Sequence, residues 1–363
     1  MYHGRSRRCC ALMLTVSICL RLCMFLGLDA KAAAFLAQAA RQRDFARFLL
    51  YLETGQVLPT EIAKPEPEII VLRYLEPVAR PGAESTEQEP APPEPVLQEP
   101  EPAPPLPRSL ADAGQITIAG GCSYPVDKAA LLNRPSQLDL TGGGPKILIV
   151  HTHGSEAYTP EPGWEYEPLL DHRTLEADRS VIAVGEALAN TLESHGIDVL
   201  HDGTLNDYPS YNDSYWTCLD KIEAWLTRFP DIQMVIDIHR DAVEDPSGGA
   251  KALSSTQNGK TAAQLMLVVG TDQGGLSHPD WEENLANALK LQSVLEGHYP
   301  GLCRNLDLRT ERFNQHMTPG SLLVEVGTNG NTLPQALHAA ELLGDGIARM
   351  LNALKQNGGT LTG

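Results

Sequence analysis

Positive charge is what this sequence has least of. Its 363 residues carry 28 Lys and Arg against 46 Asp and Glu, a formal net charge of −18. So acidic a chain is not a general nucleic-acid binder, because phosphate affinity rests on a surplus of Lys and Arg. For the same reason an anionic lipid surface is excluded as its main partner. Cysteine is sparse beyond the N-terminus. Cys9, Cys10, Cys19 and Cys23 lie in the first 25 residues, and Cys122, Cys218 and Cys303 are scattered without C-x-x-C spacing. A disulfide framework and a Cys-rich zinc module are thereby disfavoured; the three downstream cysteines fit either one bridge with a free thiol or three buried thiols. There is no G-x-S-x-G elbow, no P-loop, no G-x-G-x-x-G run and no internal repeat, which weakens serine-hydrolase and nucleotide readings.

What is present is unevenly laid out. A hydrophobic fraction of 42% suffices for a sizeable core. Residues 1–30 hold a basic leader (Arg5, Arg7, Arg8) and an 18-residue apolar stretch from Ala11 to Leu28, broken by Arg21. Eighteen residues is the lower limit for a spanning helix, and Arg21 would cost about 3 kcal/mol at its centre. The leader predicts a transmembrane anchor with the remainder exported. A cleaved signal peptide is the rival, since Leu28-Asp29-Ala30 loosely resembles an A-x-A site.

Residues 31–80 read as a juxtamembrane helix ending at Gly55 and a short apolar segment, Ile69 to Leu75. Residues 81–110 form a Pro/Glu linker: Pro81 to Pro107 holds ten prolines and six glutamates in 27 residues. Extended at about 3.1 Å per residue, it could reach roughly 80 Å. Residues 1–30 carry +3 and residues 31–110 carry −4, so residues 111–363 carry −17 of the total.

That last segment predicts one α/β domain with a mainly parallel, mixed sheet flanked by helices. Strands are expected at Lys146–Val150, Ile197–Leu200, Ile232–Ile238, Leu265–Val269 and Leu322–Val326. Helices are expected at Asp178–His195, Tyr215–Phe229, Trp281–His298 and Thr332–Leu354. Three of the apolar strands run directly into ionisable residues: Val150 into His151-Thr-His153-Gly-Ser-Glu156, Ile236 into Asp237-Ile-His239-Arg240-Asp241, and Val324 into Glu325. In open α/β sheets, sites form outside the carboxyl ends of strands.

A mononuclear zinc site suits such a set, because catalytic Zn²⁺ takes three protein ligands and keeps one position open. His153 and Glu156 would supply two ligands from one turn and His239 the third. Glu325 is left as a free carboxylate able to take a proton. His151 and His153 share a side in extended chain, so either could ligate. If His153 does, His151 supports the site from behind. Asp237 could orient His239 or cap a turn. Arg240 pairs with Asp241 or binds a substrate carboxylate. Glu176 and Asp178 are weaker carboxylate candidates, Asp178 being equally suited to cap the following helix. His316 is a candidate to line the cleft. The other histidines, His201 and His278 among them, read as surface residues. Tyr158, Trp164 and Tyr166 read either as a substrate-facing loop or as a packed one.

Three long motifs carry a resemblance: His151-Thr-His-Gly-Ser-Glu-Ala-Tyr158, Val235-Ile-Asp-Ile-His-Arg-Asp-Ala242, and Asn314-Gln315 through Pro319-Gly-Ser-Leu-Leu-Val-Glu325-Val-Gly-Thr-Asn-Gly-Asn-Thr332. From about Ile116 onward the chain resembles the stage II sporulation protein P family, also in its order of anchor, linker and catalytic domain. One departure is Gly154, where a polar or β-branched residue would be expected.

The resemblance implies an amidase-like fold and a Zn²⁺-dependent peptidoglycan hydrolase. It implies cleavage of the amide between the muramic lactyl group and L-alanine, and cross-link cleavage as a second possibility. It implies remodelling of septal wall during engulfment, and it makes Glu325 catalytic and Asn314 part of the substrate-binding surround. The implied partners are peptidoglycan, a lytic transglycosylase like stage II sporulation protein D, and a membrane protein like stage II sporulation protein M. The rivals are a zinc carboxypeptidase, which would need an arginine such as Arg240 for the free carboxylate, and a wall-binding scaffold without catalysis.

Overall fold

The computed structural model describes residues 110–362. The anchor, juxtamembrane helix and Pro/Glu linker expected before them lie outside the described residues. The elements in chain order are β1 (Ile118–Ala119), α1 (Lys128–Asn133), β2 (Ile147–Val150), α2 (Val181–Ser194), β3 (Val199–His201), α3 (Ser214–Arg228), β4 (Met234–Asp241), β5 (Ser254–Gln257), β6 (Lys260–Ala263), β7 (Leu265–Val269), α4 (Trp281–His298), β8 (Leu306–Leu308), β9 (Leu322–Thr328) and α5 (Leu333–Gln356).

Seven strands form one sheet in the order β1–β8–β7–β9–β4–β2–β3. All neighbours run parallel except β7 and β9. The sheet is therefore mixed and mainly parallel. β5 and β6 form a separate hairpin over Asn258-Gly259. Both turn residues have positive φ (50° and 77°), the conformation an Asn-Gly pair takes in a tight hairpin. That signal stood in the sequence, but the hairpin was not among the expected strands.

Alternation along β2 decides which layers exist. Ile147 and Ile149 face a large core built with α2, α4 and α5. Leu148 and Val150 face a smaller one with Leu200, Val235 and, from α3, Cys218, Ile222 and Trp225. The sheet is thus covered on both faces, which explains why its parallel strands are near-continuous apolar runs. The three cysteines in this region are free thiols.

Two elements place the acidic residues. α4 is buried along most of its length, and its amides tie down the turn that leads into β9. Asn284 Nδ2 donates to the carbonyls of Thr318 and Ser321, and Asn287 Nδ2 to that of Pro319. The second is an irregularity between β4 and β9. His239 pairs with Glu325 and Asp241 with Thr328, so β9 carries one extra residue. Gly327 takes it up at φ +74°, where a side chain would strike Ala263 and Asn331.

Tyr158, Trp164 and Tyr166 belong to a packed loop. Tyr158 is buried with its hydroxyl donating to Val326 O (3.0 Å), and Tyr166 donates to Tyr158 O. Trp164 lies against the larger core under the Arg179 guanidinium.

Lys290 of α4 is fully buried, with Nζ donating to Leu131 O (3.2 Å). Burial pulls its ammonium down to about 8, against a smaller pull upward from Glu283. A depressed amine penalises the fold while it is protonated, fully below that folded value, and the penalty fades as pH rises toward the unfolded value near 10.4. Leu131 O also accepts from Arg134 N, so it keeps a partner without the lysine. Lys290→Met is predicted to stabilise the protein on the order of 2 kcal/mol at pH 7. Urea unfolding of both proteins should show the gain shrinking between pH 8 and pH 10.

Candidate metal centre

β2, β4 and β9 lie side by side and parallel, so their C-terminal ends share one edge. β4 continues to Asp241 and β9 to Thr328, past the expected ends at Ile238 and Val326, so His239 stands within a strand, as Asp237 and Glu325 do. Period two puts Asp237 and His239 on one face, and the parallel register sets Glu325 directly beside His239.

His239 is the centre of the arrangement. It is buried, with Asp237 Oδ1 3.0 Å from its Nε2 and Glu156 Oε2 3.5 Å from its Nδ1. The Asp237 contact lacks hydrogen-bond alignment and leaves Nε2 unpartnered. The His153 ring lies 5.3 Å away at 89°. It stacks on Tyr211 at 4.5 Å and meets the Tyr215 edge at 5.5 Å. Its Nδ1 is buried without a partner, as is Glu325 Oε2.

His151 sits differently. Its Nδ1 faces Ile238 O (3.2 Å) and its Nε2 faces His201 Nε2 (2.8 Å), while His201 Nδ1 faces Glu186 (3.2 Å). Both ring nitrogens of His151 are therefore engaged behind β4, and burial holds it down near 3, as the neutral imidazole. His201, expected at the surface, is 2% exposed.

The remaining candidates sort by contact. Glu156 Oε2 accepts from Arg240 N (3.1 Å), and Oε1 lies 3.4 Å from Arg173. Arg173 also binds Asp207 (2.8 Å) and lies over the Tyr211 ring. Asp237 accepts from Thr152 N and Oγ1 (2.8 and 2.5 Å), which locks the β2 end to β4. Arg240 does not pair with Asp241. Its Nε donates to Ala157 O and its Nη2 to His172 O, and Asp241 binds Arg304 (2.7 Å) instead. Successive strand residues point to opposite faces, so Arg240 and Asp241 diverge.

Glu176 and Asp178 stay out of the centre. Both are exposed; Glu176 accepts from Glu167 N, and Asp178 pairs with Arg179. Ser180, not Asp178, caps α2 by accepting from Ile182 N. Asn314 donates to Tyr215 O (2.8 Å). His316 lies by His278, with ring centroids 6.5 Å apart, and makes no contact with His239. His278, also expected at the surface, is buried. Gly154 has a packing reason: a side chain there would press on Thr204 O and Leu205 at 3.2–3.3 Å.

The field at His239 favours a positive charge. Burial opposes its protonation, yet the Asp237 and Glu156 carboxylates outweigh burial and hold its pKa well above the usual imidazole range. Burial raises Glu325 to about 8, with Glu156 and Asp241 adding to it and His239 opposing. Two imidazoles with open nitrogens among three carboxylates are a donor set suited to Zn²⁺. Among the described residues, however, no three such side chains converge on one point.

The profile of the Stage II sporulation protein P (SpoIIP) family matches residues 81–348, most of the chain. The chain belongs to that family. A curated relative, Stage II sporulation protein P of Bacillus subtilis (strain 168), is 29% identical over 225 residues, which cover 58% of this chain and 52% of the relative. The match thus spans about half the length of that relative. Among solved structures, the chain is similar to the N-acetylmuramyl-L-alanine amidase Ami1 from Mycobacterium smegmatis (12% identity, TM-score 0.35, covering 58% of this chain and 98% of that one). It is also similar to the CwlD amidase from Clostridioides difficile in complex with the GerS lipoprotein (14%, TM-score 0.33, covering 58% and 98%).

The His151–His201 pair exists because Gly185 leaves room for it. A Cβ at Gly185 would come within 2.6 Å of His151 Nε2 and 2.7 Å of His201 Nε2. Gly185→Ala is predicted to cost about 2 kcal/mol in urea unfolding despite the better helix propensity of alanine.

Proposed function

We propose that this protein is a Zn²⁺-dependent peptidoglycan hydrolase that cuts the amide between the muramic lactyl group and L-alanine, remodelling septal wall during sporulation. The observation that carries this reading is the pair of buried, facing imidazoles His153 and His239, with open nitrogens, beside Glu156 and next to Glu325 in register. His153, Glu156 and His239 would hold the zinc. His151 has both nitrogens engaged, which favours His153 as the ligand. The metal supplies Lewis acidity toward the scissile carbonyl.

The chain's own residues do the rest. Asp237, held by Thr152, lies 3.0 Å from His239 Nε2, where its charge favours a cation. Glu325 Oε2 is unpartnered; in its ionised form Glu325 would take a proton from the attacking water and return it to the leaving amine, and burial, which raises its carboxyl to about 8, makes that form a strong base. Tyr211 and Tyr215 flank His153 and hold its ring in position. The basic N-terminal segment would anchor the enzyme with its catalytic domain, residues 111–363, outside the cytoplasm. Proteins like stage II sporulation proteins D and M are its expected partners there.

The carboxypeptidase reading weakens on one contact: the Arg240 guanidinium is spent on backbone carbonyls and cannot hold a substrate carboxylate. Glu325→Gln is predicted to lower digestion of purified sacculi by at least about 10²-fold while leaving the far-UV spectrum and bound zinc unchanged. Mass spectrometry of wild-type digests should find whole stem peptides. Release of single terminal residues would select the carboxypeptidase, and full activity of Glu325→Gln would remove Glu325 from the mechanism.

A further inference from the structure

Tyr215 also walls a cavity of about 400 Å³, with Trp216, Leu276, Arg312, Phe313 and Asn314. Tyr215 belongs to both places: its ring meets the His153 ring and also forms the cavity wall. Three features show a built recess. Trp216 and Leu276 present large apolar side chains to water, 58% and 55% exposed. Phe313 and Asn314 both hold left-handed backbone (φ 50° and 59°), a conformation Asn takes readily but one unfavourable for a bulky residue such as Phe313. Gln315 accepts from Gly270 N and donates to Val268 O, and Asn314 donates to Tyr215 O, which pins this turn to β7 and α3.

The third feature is charge. Arg312 spends one nitrogen on Ser277 O (3.2 Å), and its Nε is buried without a partner. Beside it are His278, 1% exposed with both ring nitrogens unpartnered, and His316, whose Nδ1 is also unpartnered. The acidic groups nearby are Glu311, which lines the cavity and lies 3.6 Å from Arg309, and Asp272, whose Oδ1 is buried and unpartnered. In a domain of net charge −17, a recess holding an arginine with spare donors among apolar walls fits a small acidic ligand with aliphatic parts.

We propose that this cavity is the subsite for the stem peptide of the wall substrate, with Arg312 pairing one of its carboxylates and Trp216 and Leu276 packing on its aliphatic side chains. The inference rests on the hydrolase reading above and deepens it. It gives an acidic enzyme a local means of holding an acidic peptide, one aromatic ring away from the metal centre.

The test uses the full chain and two soluble muramoyl-peptides, one with free stem carboxylates and one with them amidated. Arg312→Gln should raise KM for the free acid about tenfold and leave kcat within about twofold. For the amidated substrate, which wild type should already bind about tenfold more weakly, Arg312→Gln should change nothing. Arg312→Lys should recover part of the loss. Trp216→Ala, at an exposed position, should raise KM on both substrates. Equal effects of Arg312→Gln on the two substrates, or none, would overturn the proposal.

Binding of the isolated stem peptide to the Glu325→Gln chain, read by tryptophan fluorescence, separates this inference from the function it rests on. If wild type cleaves neither substrate but that binding is seen and is lost in Arg312→Gln, the hydrolase reading fails and the subsite stands. If no binding is seen, the subsite fails.

Discussion

The pairing of β4 with β9 is the constraint on which the rest of this structure depends. It sets Glu325 beside His239, and no loop could hold two ionisable groups so tightly, because strand backbones are fixed by ladders on both sides. The extra residue in β9 is part of the same device. A regular ladder would continue residue for residue; instead Gly327 absorbs the slip with a conformation other residues resist. On the other side of β4, Arg240 N is directed to Glu156, which brings the β2 turn onto the same centre. The Thr152–Asp237 bonds tie the β2 end to β4 a second time.

Charge distribution gives the centre its chemistry. Glu156, Asp237 and Glu325 are gathered around two imidazoles, while Arg173 and Arg240 approach only from the Glu156 side. Buried charges are costly unless compensated. Here the compensation falls on His239, the group whose protonation the carboxylates promote. A cation at that place relieves the same repulsion. Under the proposed function, the surplus of acid over the whole domain gives no bulk attraction to an anionic wall, and substrate capture would be local.

Much of this was legible in the residues. The apolar β-branched run Ile147 to Val150 after a Gly-Gly-Pro turn reads as an interior strand, and the abrupt change to His and Glu after it marks the site edge. The direction of β7 was not legible. Whether a strand runs parallel or antiparallel to its neighbour is settled by the path of the chain between them, here through α4, β8 and the turn at Thr318–Ser321, and no local pattern encodes it. His201 and Arg173 were missed for a related reason. Neither has a ligand-spaced partner in sequence; each meets its partners, His151 and Asp207, only after β2 and β3 pair and the loops close. Adjacency in sequence points Arg240 at Asp241, whereas strand alternation separates them. The Asn258-Gly259 pair signals a hairpin, but the flanking residues are too polar to stand out as strands.

The central claim is that His153, Glu156 and His239 form one zinc centre. Elemental analysis by plasma mass spectrometry of the purified protein, after exchange into buffer with limiting chelator, tests it most directly. The account predicts one zinc per chain for the wild type and for Glu325→Gln, and loss of most of it in His239→Ala. A wild-type protein without stoichiometric zinc, or a His239→Ala protein that keeps it, would contradict the account.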